Sequence, residues 1–158
     1  MHESIGKLNA AIHRNLQMII NNKLKGISIR SGQHDFFYVI SLKEGITQKE
    51  LSEWLYISKS TTAKAVKNLI DHGYIRKEKD VQDKRFDRLY LTEKGQQISE
   101  RMKETFMDVV RITTRNLSPL QVEQTTEYLR MILHNVLEEN EDIPEEAIIS
   151  SELLQGEK

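Results

Sequence analysis

The sequence predicts a mainly α fold with one small β-hairpin, and three observations carry that prediction. Apolar residues recur at helical intervals through most of the 158 residues. Glycine (7) and proline (2) are scarce and aromatics are only 6%, a composition that favours helices over sheets. Residues 74–91 break the helical spacing: apolar residues sit at both ends of a charged run, as in a two-stranded ribbon.

The elements follow in order. Ile5, Leu8, Ile12, Leu16, Ile19 and Leu24 form one stripe along a long first helix, which Gly26 and the Ser31-Gly32 pair break. Residues 34–43 predict a short helix carrying Phe36, Phe37, Val39, Ile40 and Leu42 into a core. Thr47-Gln48-Lys49-Glu50 is a capping box, in which hydroxyl and carboxylate each satisfy a backbone donor at a helix start. That helix, residues 47–56, has Leu51 and Leu55 on its apolar face. Ser58 is the natural N-cap of the next helix, which runs to Asp71-His72 and ends at Gly73, a residue suited to a left-handed cap. Ala63, Val66, Leu69 and Ile70 should pack inward, leaving Lys59, Ser60, Lys64, Lys67 and Asp71 opposite.

Tyr74, Ile75, Leu89 and Leu91 fit two short strands joined by a polar turn over residues 80–87. After Thr92 a helix carries Ile98, Met102, Phe106 and Val109 on one side to about residue 116. Ser118-Pro119-Leu120-Gln121 starts another, with cap, first-turn proline and capping-box glutamine in place. It carries Leu129, Ile132, Leu133, Val136 and Leu137. In the tail, Ile148, Ile149, Leu153 and Leu154 suit a short docked helix after Pro144, against the alternative of an acidic frayed end.

Two short helices in tight succession, the second bearing cations, suit placement of that second helix in a DNA major groove. Ser58, Ser60, Thr61 and Thr62 cluster hydroxyls at a helix start, where free N–H groups favour phosphate and hydroxyls can reach base edges. Lys59, Lys64 and Lys67 can add salt-dependent phosphate contacts. The hairpin turn presents Lys84, Arg85 and Arg88 to an adjacent minor groove, where arginine favours narrow A·T-rich sequence. Asp83 can orient Arg85 by a charge-assisted bond.

Charge is segregated, which matters more than the net value of −1. Cations concentrate between Lys59 and Arg88, whereas Glu138, Glu139, Glu141, Asp142, Glu145, Glu146, Glu152 and Glu157 make the C-terminal end acidic. With no cysteine there is no disulfide and no thiol switch. No glycine-rich phosphate loop or nucleophile elbow is present, and paired acids such as Glu138-Glu139 belong to a charged helix end, so the chain reads as a non-enzyme without a cofactor. His2, His13, His34, His72 and His134 lack metal-ligand spacing. A metal-responsive regulator and a winged helix that binds protein are the alternatives. The cations on the second helix argue against the latter. No long apolar run or signal peptide appears, so a cytoplasmic protein without membrane attachment is expected.

Three segments carry a family resemblance. Thr47-Gln48-Lys49-Glu50-Leu51-Ser52, Ile57-Ser58-Lys59-Ser60-Thr61-Thr62 and Leu69-Ile70-Asp71-His72-Gly73-Tyr74-Ile75 resemble the winged helix of the MarR (multiple antibiotic resistance regulator) family. Asp83-Lys84-Arg85 followed by Leu89-Tyr90-Leu91-Thr92-Glu93-Lys94-Gly95 resembles its wing and the exit into the next helix, with bulky Phe86 and acidic Asp87 as departures. The resemblance implies a bacterial transcription regulator that binds pseudo-palindromic double-stranded DNA as a homodimer and is often relieved by a small molecule; repression, with a small aromatic or amphipathic effector, is the expectation for this chain, and activation is left open. It places the recognition helix at residues 58–67 and the minor-groove contact at Arg85. On this plan residues 1–30 and 117–158 form a helical dimerisation region, 31–95 the winged helix-turn-helix, and 96–116 a connecting helix. Arg30, His34, Phe37 and Trp54 are the expected vicinity of an effector pocket.

Overall fold

The computed structural model describes residues 3–140, so the predicted tail helix with Ile148, Ile149, Leu153 and Leu154 lies outside the described residues. Its elements are α1 (Ile5–Lys23), α2 (His34–Leu42), β1 (Ile46–Thr47), α3 (Gln48–Trp54), α4 (Lys59–Asp71), β2 (Ile75–Lys79), β3 (Asp87–Leu91), α5 (Glu93–Thr114) and α6 (Pro119–Glu138). Most helix starts have a local cause. Thr47 and Ser118 head complete capping boxes with Glu50 and Gln121, and Ser4, Ser58 and Thr92 accept backbone amides at the starts of α1, α4 and α5, whereas α2 begins at Gln33 without a side-chain cap. Gly73, with φ of +75°, turns the chain out of α4 into β2.

The strands form an antiparallel sheet in the order β1-β3-β2, with Ile75 opposite Leu91, Lys77 opposite Leu89 and Ile46 opposite Leu89. β1 was not predicted. Its two residues satisfy the outer edge of β3, and the adjoining Gly45 amide donates to Leu89 O at 2.7 Å. Gly45 has φ of +89° and lies against the Tyr90 hydroxyl, so glycine suits both backbone and space there.

One core serves α2, α3, α4, the sheet and α5. Phe36, Phe37, Ile40, Leu51, Val66, Leu69, Ile75, Leu89 and Met102 are fully buried in it. Leu42, expected inside, is 54% exposed because it falls on the outer side of the last turn of α2. The end of α1 joins the same core through Ile20 and Leu24. Arg101 fixes that junction by donating to Lys23 O and Lys25 O, and Lys23 pairs with Asp108 at 2.6 Å.

The join between α4, the sheet and α5 is a set of backbone contacts. Thr92 Oγ1 donates to Gly73 O at 2.6 Å, the Thr92 amide to Tyr74 O at 3.1 Å, and Lys94 Nζ to His72 O at 2.7 Å. A Cβ at Gly95 would stand 2.2 Å from Tyr74 O. The glycine of the Leu-Thr-Glu-Lys-Gly segment is therefore required by close approach of two backbones.

Candidate nucleic-acid interface

Ser58 sets the start of the presented helix. Its Oγ accepts from the Thr61 amide at 3.2 Å, donates to Thr61 Oγ1 at 2.9 Å and lies 3.2 Å from Ser60 Oγ. Beyond this cap, Lys59, Ser60, Thr61, Ala63, Lys64 and Lys67 are exposed, while Thr62, Ala65, Val66 and Leu69 are buried. Lys67 pairs with Asp71 at 2.5 Å, one turn further on. Such an exposed pair is worth only about 0.3–0.5 kcal/mol, so a phosphate can compete for the lysine at little cost.

Two neighbours exchange the places the sequence suggested. Thr62, expected at the DNA, is fully buried and donates from Oγ1 to Ser58 O at 3.1 Å. Its hydroxyl is satisfied one turn back, which lets a polar residue occupy the inward face. Ala63, expected inside, is exposed and puts a methyl on the presented face, where it can meet a thymine methyl. The signal was present: positions 62, 65, 66 and 69 share a helix face as well as 63, 66 and 70 do.

The wing is braced rather than loose. Asp80 Oδ1 accepts the Gln82 and Asp83 amides at 2.7 and 2.9 Å, and its Oδ2 accepts from Arg88 Nε. The Asp83 amide, then the Arg88 and Gln82 donors, hold the Asp80 pKa down to about 2. Arg88 Nη1 donates to Gly45 O at 2.7 Å. Arg88, expected at the DNA, is thus committed to tying the wing root to the chain before β1, a role only the tertiary partners disclose.

At the tip, Arg85 donates from Nε and Nη2 to Asp83, at 3.0 and 2.6 Å, and its amide donates to Asp83 Oδ1 at 3.0 Å. These bonds hold the Asp83 carboxyl below its ordinary range. Arg85 and Lys84 are exposed beyond them. Asp87 pairs with Lys79 at 2.8 Å across the hairpin.

The four residues expected around an effector do not line one pocket. Phe37 is fully buried, its ring edge-on to Tyr74 with centroids 6.1 Å apart. His34 is 3% exposed; Nε2 donates to Ile29 O at 3.1 Å, Nδ1 has no partner, and burial lowers its pKa. Arg30 is exposed. Trp54, 54% exposed with Lys43 Nζ 3.7 Å above its ring, lines a cleft of 790 Å³ that includes none of the other three. Glu50, Tyr56, Arg88 and Arg130 share that cleft. Among the described residues no group of three or more His, Asp or Glu is placed to hold a metal ion, and no helix is long and apolar enough to cross a membrane.

A helix-turn-helix whose second helix is presented beside an arginine-tipped, three-stranded wing defines the winged helix-turn-helix class. Residues 25–85 match the model of the MarR family. The chain is 34% identical to a MarR transcriptional regulator from Methanosarcina mazei Go1, the similarity covering 85% of this chain and 96% of that one with a TM-score of 0.67. The chain belongs to the MarR family. A MarR-family regulator from Listeria monocytogenes, solved with 26mer DNA, is 25% identical over 87% of this chain and 92% of its own, with a TM-score of 0.75. The HTH-type transcriptional regulator YybA of Bacillus subtilis is 34% identical over 87 residues, which are 55% of this chain and 58% of that protein's length.

Proposed function

We propose that the chain is a homodimeric, sequence-specific transcriptional repressor that binds pseudo-palindromic promoter DNA. The observation that carries this reading is the exposed face of α4, with Lys59, Ser60, Ala63, Lys64 and Lys67 outward beside the fixed Arg85. Two such heads, about 34–36 Å apart, enter successive major grooves and occlude polymerase. The DNA complex of the Listeria relative supports this use of the fold.

Dimerisation is supported by what one chain leaves uncovered. Ile5, Leu8 and Ile12 on α1, and Leu120, Leu129 and Val136 on α6, are all at least 44% exposed. A two-fold partner would bury them and match the symmetry of the DNA site. Residues 1–30 and 117–158 are accordingly the proposed dimerisation region. The 790 Å³ cleft containing Trp54 is the proposed place for a small aromatic or amphipathic effector. Such a ligand would release DNA if it bound one spacing of the heads better than the other.

The test is a salt-series titration of the protein on DNA selected from random duplexes, against scrambled duplex, with light scattering for mass. Tight, salt-sensitive, sequence-preferring binding by a dimer is expected. A monomer indifferent to sequence would overturn the reading. Lys64→Glu should weaken binding to every duplex and reduce the salt slope by about 1. Unchanged binding would mean that α4 presents a different face.

A further inference from the structure

The wing carries an unusual balance of charge and apolar surface. Its four acids are each matched to a cation: Glu78 to Arg76, Asp80 to Arg88, Asp83 to Arg85 and Asp87 to Lys79. Among the described residues, Lys77 and Lys84 are the wing cations left outside a salt bridge. So small an excess of positive charge is a weak electrostatic hold on a polyanion. Yet the same turn exposes Phe86 by 50% and Val81 by 95%.

Phe86 is also held in place. Its amide donates to Asp83 O at 3.0 Å, and its carbonyl accepts the Asp80 amide at 3.0 Å. The Arg85 guanidinium carbon lies 5.9 Å from the centre of its ring, so ring and cation share one side of the tip. Nothing in the core uses the ring. An aromatic side chain pinned at both backbone groups, exposed, and flanked by Lys84 and Arg85 is built to enter a surface that is apolar within and anionic at its rim. The minor groove has that character, with deoxyribose walls between two rows of phosphate.

We propose that Phe86 is a specificity-determining wedge: where Arg85 enters the minor groove, the Phe86 ring packs against and partly opens an adjacent base step. The inference rests on the DNA-binding reading above. Pyrimidine–purine steps unstack most easily, so the wedge gives preference for TA or CA steps in the flanks that the wing covers. The preference comes from deformation of the duplex, without hydrogen bonds to base edges.

The experiment is selection of binding sites from a random duplex pool by the full chain and by its Phe86→Ala and Phe86→Leu variants. The selected duplex is then labelled with 2-aminopurine at the flanking step. The wild-type chain should enrich TA or CA flanks and brighten the probe on binding. Phe86→Ala should keep the central half-sites but lose about tenfold in preference between flexible and stiff flanks, with no brightening. Phe86→Leu, which retains an apolar wedge, should keep most of both. If Phe86→Ala preserves flank preference and brightening, or weakens all duplexes equally, the wedge is overturned while the DNA-binding reading stands. If the wild-type chain selects no sequence at all, the DNA-binding reading falls and the wedge falls with it.

Discussion

The Arg85 guanidinium is gripped by Asp83 through Nε and Nη2 while the same carboxylate accepts the Arg85 amide, so side chain and backbone are oriented together. Arg85→Ala should cost about tenfold in affinity and remove preference for A·T-rich flanks, measured by competition titration. Asp83→Ala retains the cation but loses its direction, so sequence preference should fall further than nonspecific binding. Equal losses in both would contradict an orienting role. His34 gives a second residue-level expectation. Burial holds its folded pKa below the ordinary 6.5. Its contribution to stability is therefore present above pH 6.5 and declines as pH falls below it, because the unfolded chain takes up the proton first. Asp35, raised by burial, acts in the opposite sense: its contribution is present below 3.8 and is lost as pH rises through the folded value. His34→Gln should flatten the fall in Tm between about pH 7 and 5.5, and an unchanged slope would assign that fall to other groups.

At the scale of elements, the contact between the start of α5 and Tyr74 is the least tolerant joint. Gly95→Ala must displace a backbone carbonyl, at about 3 kcal/mol, which in a domain of this size lowers Tm by about 6–12 °C. A Tm within a degree of wild type would show that the joint gives. The wing brace makes a different prediction. The Asp80 carboxyl, depressed to about 2, should keep its amide and Arg88 bonds as pH falls past the ordinary carboxylate range and release them only as pH approaches 2. These elements differ in how far the sequence disclosed them. The capping boxes at Thr47 and Ser118 and the turn at Gly73 were legible because their causes lie within four residues. β1 was not, since a two-residue strand exists only through its pairing with β3 across some forty residues. The surroundings of Arg88 and Trp54 were hidden for the same reason. The partners that bind one, Asp80 and Gly45, and the cleft that exposes the other are assembled by the fold. Lys59, Lys64 and Lys67 read correctly as an outward face because charge on a capped amphipathic helix leaves few alternatives.

For the whole molecule, the uncovered stripes of α1 and α6 give the expectation that a charge placed in them separates the chains. Leu8→Glu combined with Leu129→Glu should yield monomers at micromolar concentration by light scattering, since each large aliphatic side chain withheld from an interface forfeits about 1.5–3 kcal/mol. A persistent dimer would move the interface elsewhere. The welded joint at Gly73, Tyr74, Thr92 and Gly95 bears on how such a dimer moves. If that joint holds, α5 and the reading head would move as a single rigid arm. The 22 residues of α5 make that arm about 33 Å long. A tilt of about 10° at its far end would therefore sweep the head through about 6 Å, half the width of a major groove. In the proposed dimer, leverage of this kind would turn a small repacking among the dimerisation helices into loss of register on DNA, with the recognition surface itself unchanged.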